Sequence, residues 1–372
     1  MTAVILRIVK FGLNIIYFFI KLLPTQNKVV MISRQSNEIN SDFELIGKRL
    51  KRKHKVVYLC RTLDGGVKSK ISTRIKYGFH MFTQMYHLAT SKVCILDTYC
   101  PTVSILKHKK SLSIIQIWHS IGTMKKFGYA IVDKGEGTKL EIANIMNMHK
   151  NYDAILCSGE GYREHLTWGF NCSPDIIRIA TLPRVDLLTD KKYETKVKKN
   201  ILKDYPSLKN KKNIIYCPTF RKDESGFNKA LDNLIKAIDF KKYNLIVKLH
   251  PLSKTEVEEN ENIIVDKKYS SFDMMFVADL MISDYSCIIY EAGVRKIPLY
   301  FYNYDMESYV GKRGLALDYD ELPGYTSSNA QELVKTFEQE YDMKYYKKFM
   351  KKYVENTKDC AKKVVEIIEE YM

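Results

Sequence analysis

Residues 28–60 read KVVMISRQSNEINSDFELIGKRLKRKHKVVYLC. The runs Lys28–Ser33 and Lys55–Cys60 are apolar, β-branched and of strand length, while Asp42–Lys53 between them carries helical spacing. A strand, a helix and a second strand in that order make a βαβ unit, because parallel strands need a crossover long enough to hold a helix. The same alternation continues outward. KVCILD (92–97), SIIQIW (113–118) and DAILC (153–157) supply further strands. In the second half NIIYC (213–217), NLIVKL (244–249), residues 262–265, LMIS (280–283) and PLYF (298–301) repeat the theme. The economical fold is α/β with two parallel sheets.

The chain has 372 residues, enough for two domains of roughly 150 residues each. Apolar density falls in the Lys-rich stretch from Leu188 to Lys212, so the expected domains are 25–187 and 188–372, with a cleft between them. From Ser328 onward the pattern is helical, and Lys344, Lys347, Lys348, Lys351 and Lys352 form a basic stretch, either a solvated face or a surface for lipid or polyphosphate.

An apolar content of 45% with 12% aromatic residues excludes a disordered chain. Sixty Lys and Arg against 43 Asp and Glu give a net charge of +17, which favours polyanionic partners: nucleic acid, anionic lipid or a phosphate-rich substrate. No zinc-finger spacing, RRM signature or Gly-rich RNA clamp is present, so nucleic acid is not an expected partner. The cysteines at 60, 94, 100, 157, 172, 217, 287 and 360 form no CxxC pair and read as reduced thiols.

Residues 3–23, AVILRIVKFGLNIIYFFIKLL, are apolar enough to suggest a membrane span. Arg7, Lys10, Asn14 and Lys21 nevertheless share one helical face. Cations cost several kcal/mol mid-bilayer but meet anionic headgroups favourably. The pattern predicts an amphipathic helix over residues 1–24 lying in the membrane surface; a spanning helix and a helix packed on the protein are the alternatives.

In open parallel sheets, ligands bind beyond the carboxyl ends of strands. Two histidines stand there: His119 in WHSIGTMKK and His250 in KLHPLS. YCPTFRKD (216–223) also follows a strand run. Pro218 sets a turn, Thr219 offers a hydroxyl and a backbone donor, and Arg221 offers a planar fork suited to phosphate. In ISDYSCIIYEAG (282–293), a helix expected to begin near Tyr285 or Ser286 would aim N–H groups at an anion, with Ser286 adding a hydroxyl. Asp284 reads either as part of this site or as a plain N-cap, and Glu291, two turns on, as a partner for a ribose hydroxyl.

The ordered set WHSIGTMKK, LPRVD (182–186), YCPTFR, KLHP, SDYSCIIYE, PLYFYNYDMESY and RGLALDY (313–319) resembles the CDP-glycerol glycerophosphotransferases of teichoic acid synthesis over roughly residues 85–325. The resemblance implies a GT-B-like pair of Rossmann domains in a peripheral enzyme on the cytoplasmic face of the membrane. The implied donor is CDP-glycerol or CDP-ribitol, and the acceptor an undecaprenyl-linked glycan, teichoic acid or capsule polymer. It makes His119 the general base and places Arg221, His250 and Ser286 around the donor diphosphate. Pro218, Thr219, Asp284, Tyr285 and Glu291 complete the expected donor site, and Ser120, Lys125 and Lys126 are expected on the acceptor side. Three departures stand out: Ser120 where the family commonly has Gly, Cys287 where it often has a second Ser, and Tyr290–Glu291 where many members carry Phe–Asp. No Asp-x-Asp pair follows a strand, so neither a catalytic metal nor a cofactor is expected. A nucleotide-sugar glycosyltransferase and a non-catalytic polyanion binder remain the rival readings.

Overall fold

The computed structural model describes residues 2–63 and 70–372. Strands β1 (Lys28–Ser33), β2 (Lys55–Cys60), β3 (Val93–Leu96), β4 (Ser113–Gln116), β5 (Ala154–Cys157) and β6 (Ile177–Ile179) form a six-stranded parallel sheet in the order β2-β1-β3-β4-β5-β6. Strands β7 (Lys212–Tyr216), β8 (Tyr243–Val247), β9 (Ile263–Val265), β10 (Leu280–Ser283), β11 (Leu299–Tyr302) and β12 (Tyr325–Ser327) form a second one, ordered β12-β11-β10-β7-β8-β9. The central strands are buried on both faces, which is why they read as unbroken apolar runs. The sequence pattern misses β6 and β12, short edge strands of only three residues (IRI and YTS).

Each sheet has one place where its winding reverses. After β2 the chain returns past β1 to lay down β3, and after β9 it returns past β7 to lay down β10. The loops leaving β1, β3 and β4 therefore converge at one point, and those leaving β7, β10 and β11 at another.

The elements form where local chemistry supports them. The helix Ser41–Leu50 opens with the Asn40 side chain accepting from Phe43 N, a cap worth about 1 kcal/mol. It carries Asp42 and Glu44 in its first turn and Lys48 and Arg49 in its last, and it buries Phe43, Ile46 and Leu50. In the second sheet, Ile214, Leu245 and Ile282 share a core with Phe227, Leu231 and Leu234 of the helix Ser225–Ala237.

One compact unit comprises Met1–Ser120, Lys126–Arg184 and Lys358–Met372, and the other Ile121–Lys125 and Val185–Thr357. This differs from the expected division in three ways. The Lys-rich stretch expected as a boundary is in large part a helix, Lys191–Asp204, which buries Val197 and Ile201 within the second unit. The final helix, Cys360–Glu370, joins the first unit: it packs on the helix Ser41–Leu50, Glu369 pairs with Lys53, and Glu370 pairs with Arg178. The short segment Ile121–Lys125 belongs to the second unit despite its place in the sequence. The basic helix Met343–Tyr353 buries Tyr346, Phe349, Met350 and Tyr353 and leaves its lysines on the exposed face.

The N-terminal helix α1 (Thr2–Ile20) corrects the expected orientation. Its polar stripe docks on the protein. Lys10 Nζ donates to Ile145 O at 2.7 Å and to Asn147 Oδ1 at 3.0 Å, Asn14 Nδ2 donates to Ile105 O at 3.0 Å, and Lys21 Nζ donates to Lys107 O at 2.7 Å. Tyr17 is fully buried, with its hydroxyl 2.9 Å from His108 Nδ1. Apart from Asn147 Oδ1, the acceptors are main-chain oxygens at element ends and in loops, which need donors that no neighbouring strand or helix supplies. The apolar face consequently points outward, with Phe11 70% and Leu22 73% exposed.

Burial pushes several imidazoles down: His87 to about 4, helped by the charges of Lys28 and Lys55, His108 to about 4, and His149 to about 3. In the unfolded chain these groups titrate near the usual 6.5. Between about 6.5 and 4 the unfolded state therefore binds protons that the folded state refuses. Stability from this source is complete above pH 6.5 and is lost as the pH falls through that window. The urea midpoint should drop measurably between pH 7 and pH 5; an unchanged midpoint would show that these imidazoles are not held neutral.

Candidate active site

At the switch point of the first sheet, the loop after β4 carries His119. Trp118 precedes it with φ of 61°, a left-handed conformation costly for a bulky residue. An aromatic cluster holds it there: the Trp118 ring stacks on Phe127 at 4.8 Å and meets Phe170 edge-on at 5.1 Å. His119 Nδ1 lies 3.1 Å from the carbonyl of Asp97, at the end of β3, and 3.3 Å from the Gln35 amide nitrogen beyond β1. The Gln35 amide can be turned end for end, whereas the backbone carbonyl can only accept and lies nearer, so the carbonyl sets the tautomer: Nδ1 carries the proton and Nε2 keeps its lone pair. The imidazole is set among neighbouring groups with an edge open to solvent; burial, and after it the charge of Arg184, holds its pKa near 4. Arg184 is fixed by buried Asp42 and donates to His119 O at 3.2 Å. Burial also raises the Asp97 carboxyl to about 6, and its Oδ2 accepts from Asn40. Gln35, Asp97 and Arg184 were not singled out in the sequence, although Gln35 and Asp97 follow strand ends.

At the second switch point Arg221 lies between two carboxylates. Its Nε and Nη2 donate to Asp305 at 2.8 and 2.9 Å, and its Nη1 donates to Asp284 Oδ2 at 2.7 Å and to Thr219 O at 2.5 Å. The rings of Tyr304, Tyr285, Tyr309 and Phe227 surround the guanidinium at 5.0–5.9 Å. Burial opposes its charge, yet the Asp305 hydrogen bonds and the Asp284 charge more than offset this and raise its pKa. The fork expected to face a phosphate is engaged here by Asp305 and Asp284. The fork faces Asp305, a residue the sequence reading passed over although it follows β11 closely.

Other expected donor residues are re-cast by the same network. Asp284 is fully buried and is not an N-cap: it accepts from Thr219 N, Tyr285 N and Arg221, and the helix starts only at Ile288. Tyr285 is also buried, stacked on Tyr309 at 4.0 Å, with its hydroxyl directed to Asp305. Thr219 gives its backbone N–H to Asp284, but its buried Oγ1 has no partner among the described residues. Pro218 and Ser286 are half-buried beside these groups, and Glu291 is buried in the helix Ile288–Val294.

His250 lies beyond β8, with its ring exposed and 4.8 Å from that of Phe220. Buried Lys248 anchors this loop, donating to Asp266 Oδ2 at 2.5 Å and Tyr269 O at 2.6 Å. The backbone N–H of Leu252 donates to His250 Nδ1 at 3.1 Å. An N–H only donates, so the neutral ring carries its proton on Nε2. Burial, and after it the charge of Lys125, lowers the pKa of His250. The two histidines thus hold opposite tautomers.

Ser120 and Lys126 lie in the first unit and Lys125 in the second. Among the described residues no three His, Cys, Asp or Glu side chains gather as a metal-holding group.

Residues 15–370 match the family model described as CDP-Glycerol:Poly(glycerophosphate) glycerophosphotransferase. The chain belongs to this family. It is 32% identical over 355 residues to the teichoic acid ribitol-phosphate primase of Bacillus spizizenii, covering 92% of this chain and 90% of that protein. With the teichoic acid poly(ribitol-phosphate) polymerase of the same organism, identity is 26% over 341 residues, covering 87% of this chain but 53% of the relative. The glycerophosphotransferase fold agrees. A solved structure of the wall teichoic acid polymerase TagF superposes with a TM-score of 0.75 at 18% identity, covering 97% of this chain and 93% of that one. The two parallel-sheet units are therefore those of a GT-B-like enzyme.

Removing Arg221 leaves two carboxylates facing each other without a counter-charge. Arg221→Ala should cost about 3–5 kcal/mol of stability, the scale for breaking a buried ion pair. A variant that unfolds like wild type in urea and loses only nucleotide affinity would return Arg221 to the role of a phosphate ligand.

Proposed function

We propose that this enzyme transfers glycerol phosphate or ribitol phosphate from its CDP ester to a hydroxyl of a membrane-linked teichoic acid or capsule acceptor. The observation that carries the mechanism is the pair of opposite tautomers. His119, its Nδ1 proton committed to the Asp97 carbonyl, offers Nε2 as a base to the acceptor O–H. The acceptor oxygen attacks the phosphorus that bears the polyol, the bond from that phosphorus to the oxygen bridging it to CMP breaks, and CMP leaves. His250, its Nδ1 occupied by the Leu252 N–H, offers Nε2–H to the charge growing on the departing phosphate. Thr219 Oγ1 and Ser286 are assigned to the CDP-polyol, and Glu291 to a ribose hydroxyl. No metal is assigned a step, so chelators should leave turnover intact.

His119→Ala should bind the CDP-polyol about as well as wild type and release CMP roughly 10²-fold more slowly or worse, as for loss of a general base. His250→Ala should damage affinity and rate together. With His119 titrating near 4, the acid limb of kcat should fall near that pH rather than at 6.5. Calorimetry and CMP release on both variants decide the assignment; unaltered turnover in folded His119→Ala removes the base.

The membrane reading is supported by the outward apolar face of α1 and by a second stripe beside it. The helix Ile71–Thr90 packs along α1 and exposes Ile71, Ile75, Phe79, Phe82 and Tyr86, which share one helical face. Exposed Arg7, Lys76, Lys107 and Lys110 supply cations on these helices and on the loop where α1 docks, complementary to anionic headgroups. Spanning would require α1 to abandon its hydrogen bonds to the protein, so we place it flat on the cytoplasmic face, where an undecaprenyl-linked acceptor is within reach. Phe11→Glu together with Phe79→Glu should abolish sedimentation with anionic vesicles while leaving the urea midpoint unchanged. If the double variant still sediments, the face lies elsewhere.

A further inference from the structure

The segment Ile121–Lys125 follows His119 and Ser120 directly, yet it is built into the second unit. Residues 121–124 are buried there. Tyr290 OH donates to Thr123 O at 2.7 Å, Ala316 N donates to Met124 O at 3.0 Å, and Lys125 pairs with Leu315 in an antiparallel bridge. Gly122 is demanded by this contact, since a Cβ there would lie 2.4 Å from the Tyr290 ring. Phe349, stacked at 6.2 Å, and Tyr353, at 5.5 Å, hold that ring. The segment is a strap with Tyr290 as its buckle.

What the strap delivers is an ammonium group. Lys125 Nζ lies over the face of Tyr309 at 6.0 Å, and Tyr309 stacks on Tyr285, next to Asp284. The switch point needs such a charge. Arg221 is held by Asp284 and Asp305, so two carboxylates against one guanidinium leave a negative balance where a diphosphate would bind. Lys125 is also near enough to His250 for its charge to act on the imidazole.

We propose that Lys125 binds the diphosphate of the CDP-polyol together with Nε2–H of His250, and that Tyr290 is a positioning residue acting through the strap. A residue of the His119 loop is then a donor ligand, so the base and a donor cation are joined by one short stretch of backbone. The proposal rests on the CDP-polyol reading of the site.

Calorimetry with CDP-glycerol and CDP-ribitol tests it. Lys125→Met should weaken binding of the preferred donor roughly tenfold or more, the loss expected for one charge-assisted phosphate contact. Its binding should also respond less steeply to salt than that of wild type, and Lys125→Arg should recover most of the affinity. Tyr290→Phe should weaken donor binding in the wild-type background and add nothing in the Lys125→Met background, because both changes remove the same contact. Equal affinity of wild type and Lys125→Met overturns the assignment of Lys125. Additive losses overturn the role of Tyr290. Failure of wild type itself to bind either CDP-polyol would instead overturn the proposed function. Should Lys125→Met not fold, Lys125→Arg decides: retained affinity with retained salt dependence supports the charge, and loss of affinity in a folded Arg variant rejects it.

Discussion

The guanidinium of Arg221 between Asp284 and Asp305 is the constraint on which the second unit depends. Three strand ends, those of β7, β10 and β11, are tied by one planar ion with donors in fixed directions. The loops could not otherwise bring three charged groups together away from water, since each alone would carry a desolvation cost of several kcal/mol. The network also aligns what surrounds it. Thr219 is turned so that its N–H meets Asp284, and Tyr285 is drawn to Asp305 and stacked on Tyr309. A cation used this way is no longer a ligand, so the positive charge for a phosphorylated substrate has to come from other elements.

Histidine chemistry here is decided by the backbone. Imidazole has two similar nitrogens, and which one holds the proton follows from what faces the other. The Asp97 carbonyl forces the proton onto Nδ1 of His119, and the Leu252 N–H forces it off Nδ1 of His250. Both partners are main-chain groups whose polarity no substitution can reverse. One loop is stiffened by a left-handed Trp118 within an aromatic cluster, the other by the buried Lys248–Asp266 pair. Two side chains of the same residue type are thereby kept in opposite tautomers at neutral pH.

Helix α1 shows the limit of periodicity as evidence. The spacing of Arg7, Lys10, Asn14 and Lys21 correctly announces two faces, but two faces do not say which one meets protein. Main-chain oxygens of Ile105, Lys107 and Ile145 lack donors from neighbouring strands or helices, and Lys10, Asn14 and Lys21 supply them. The polar stripe is therefore the docking face and the apolar stripe the outer one, the reverse of an ordinary surface helix. The matching stripe on the helix Ile71–Thr90 is equally present in the letters, but nothing local marks Ile71, Ile75, Phe79, Phe82 and Tyr86 as exposed rather than core.

The sequence by itself determined the α/β class, the two parallel sheets, nearly all the long strands and the histidines beyond their ends. Those follow from short-range causes: apolar runs buried on both faces, crossover length, and the rule that ligands gather past strand termini. Only the tertiary structure decided that Arg221 is a strut, that Asp305, Asp97 and Gln35 belong to the two sites, that the last helix returns to the first unit, and that Lys125 stands with His250. Each of these depends on which distant groups meet. Arg221 and Asp305 are 84 residues apart, and Tyr290 and Thr123 are 167 apart. Spacing along a chain carries no information on such meetings, because they are set by how strands order themselves in a sheet and by where buried charges and hydrogen-bonding groups find partners.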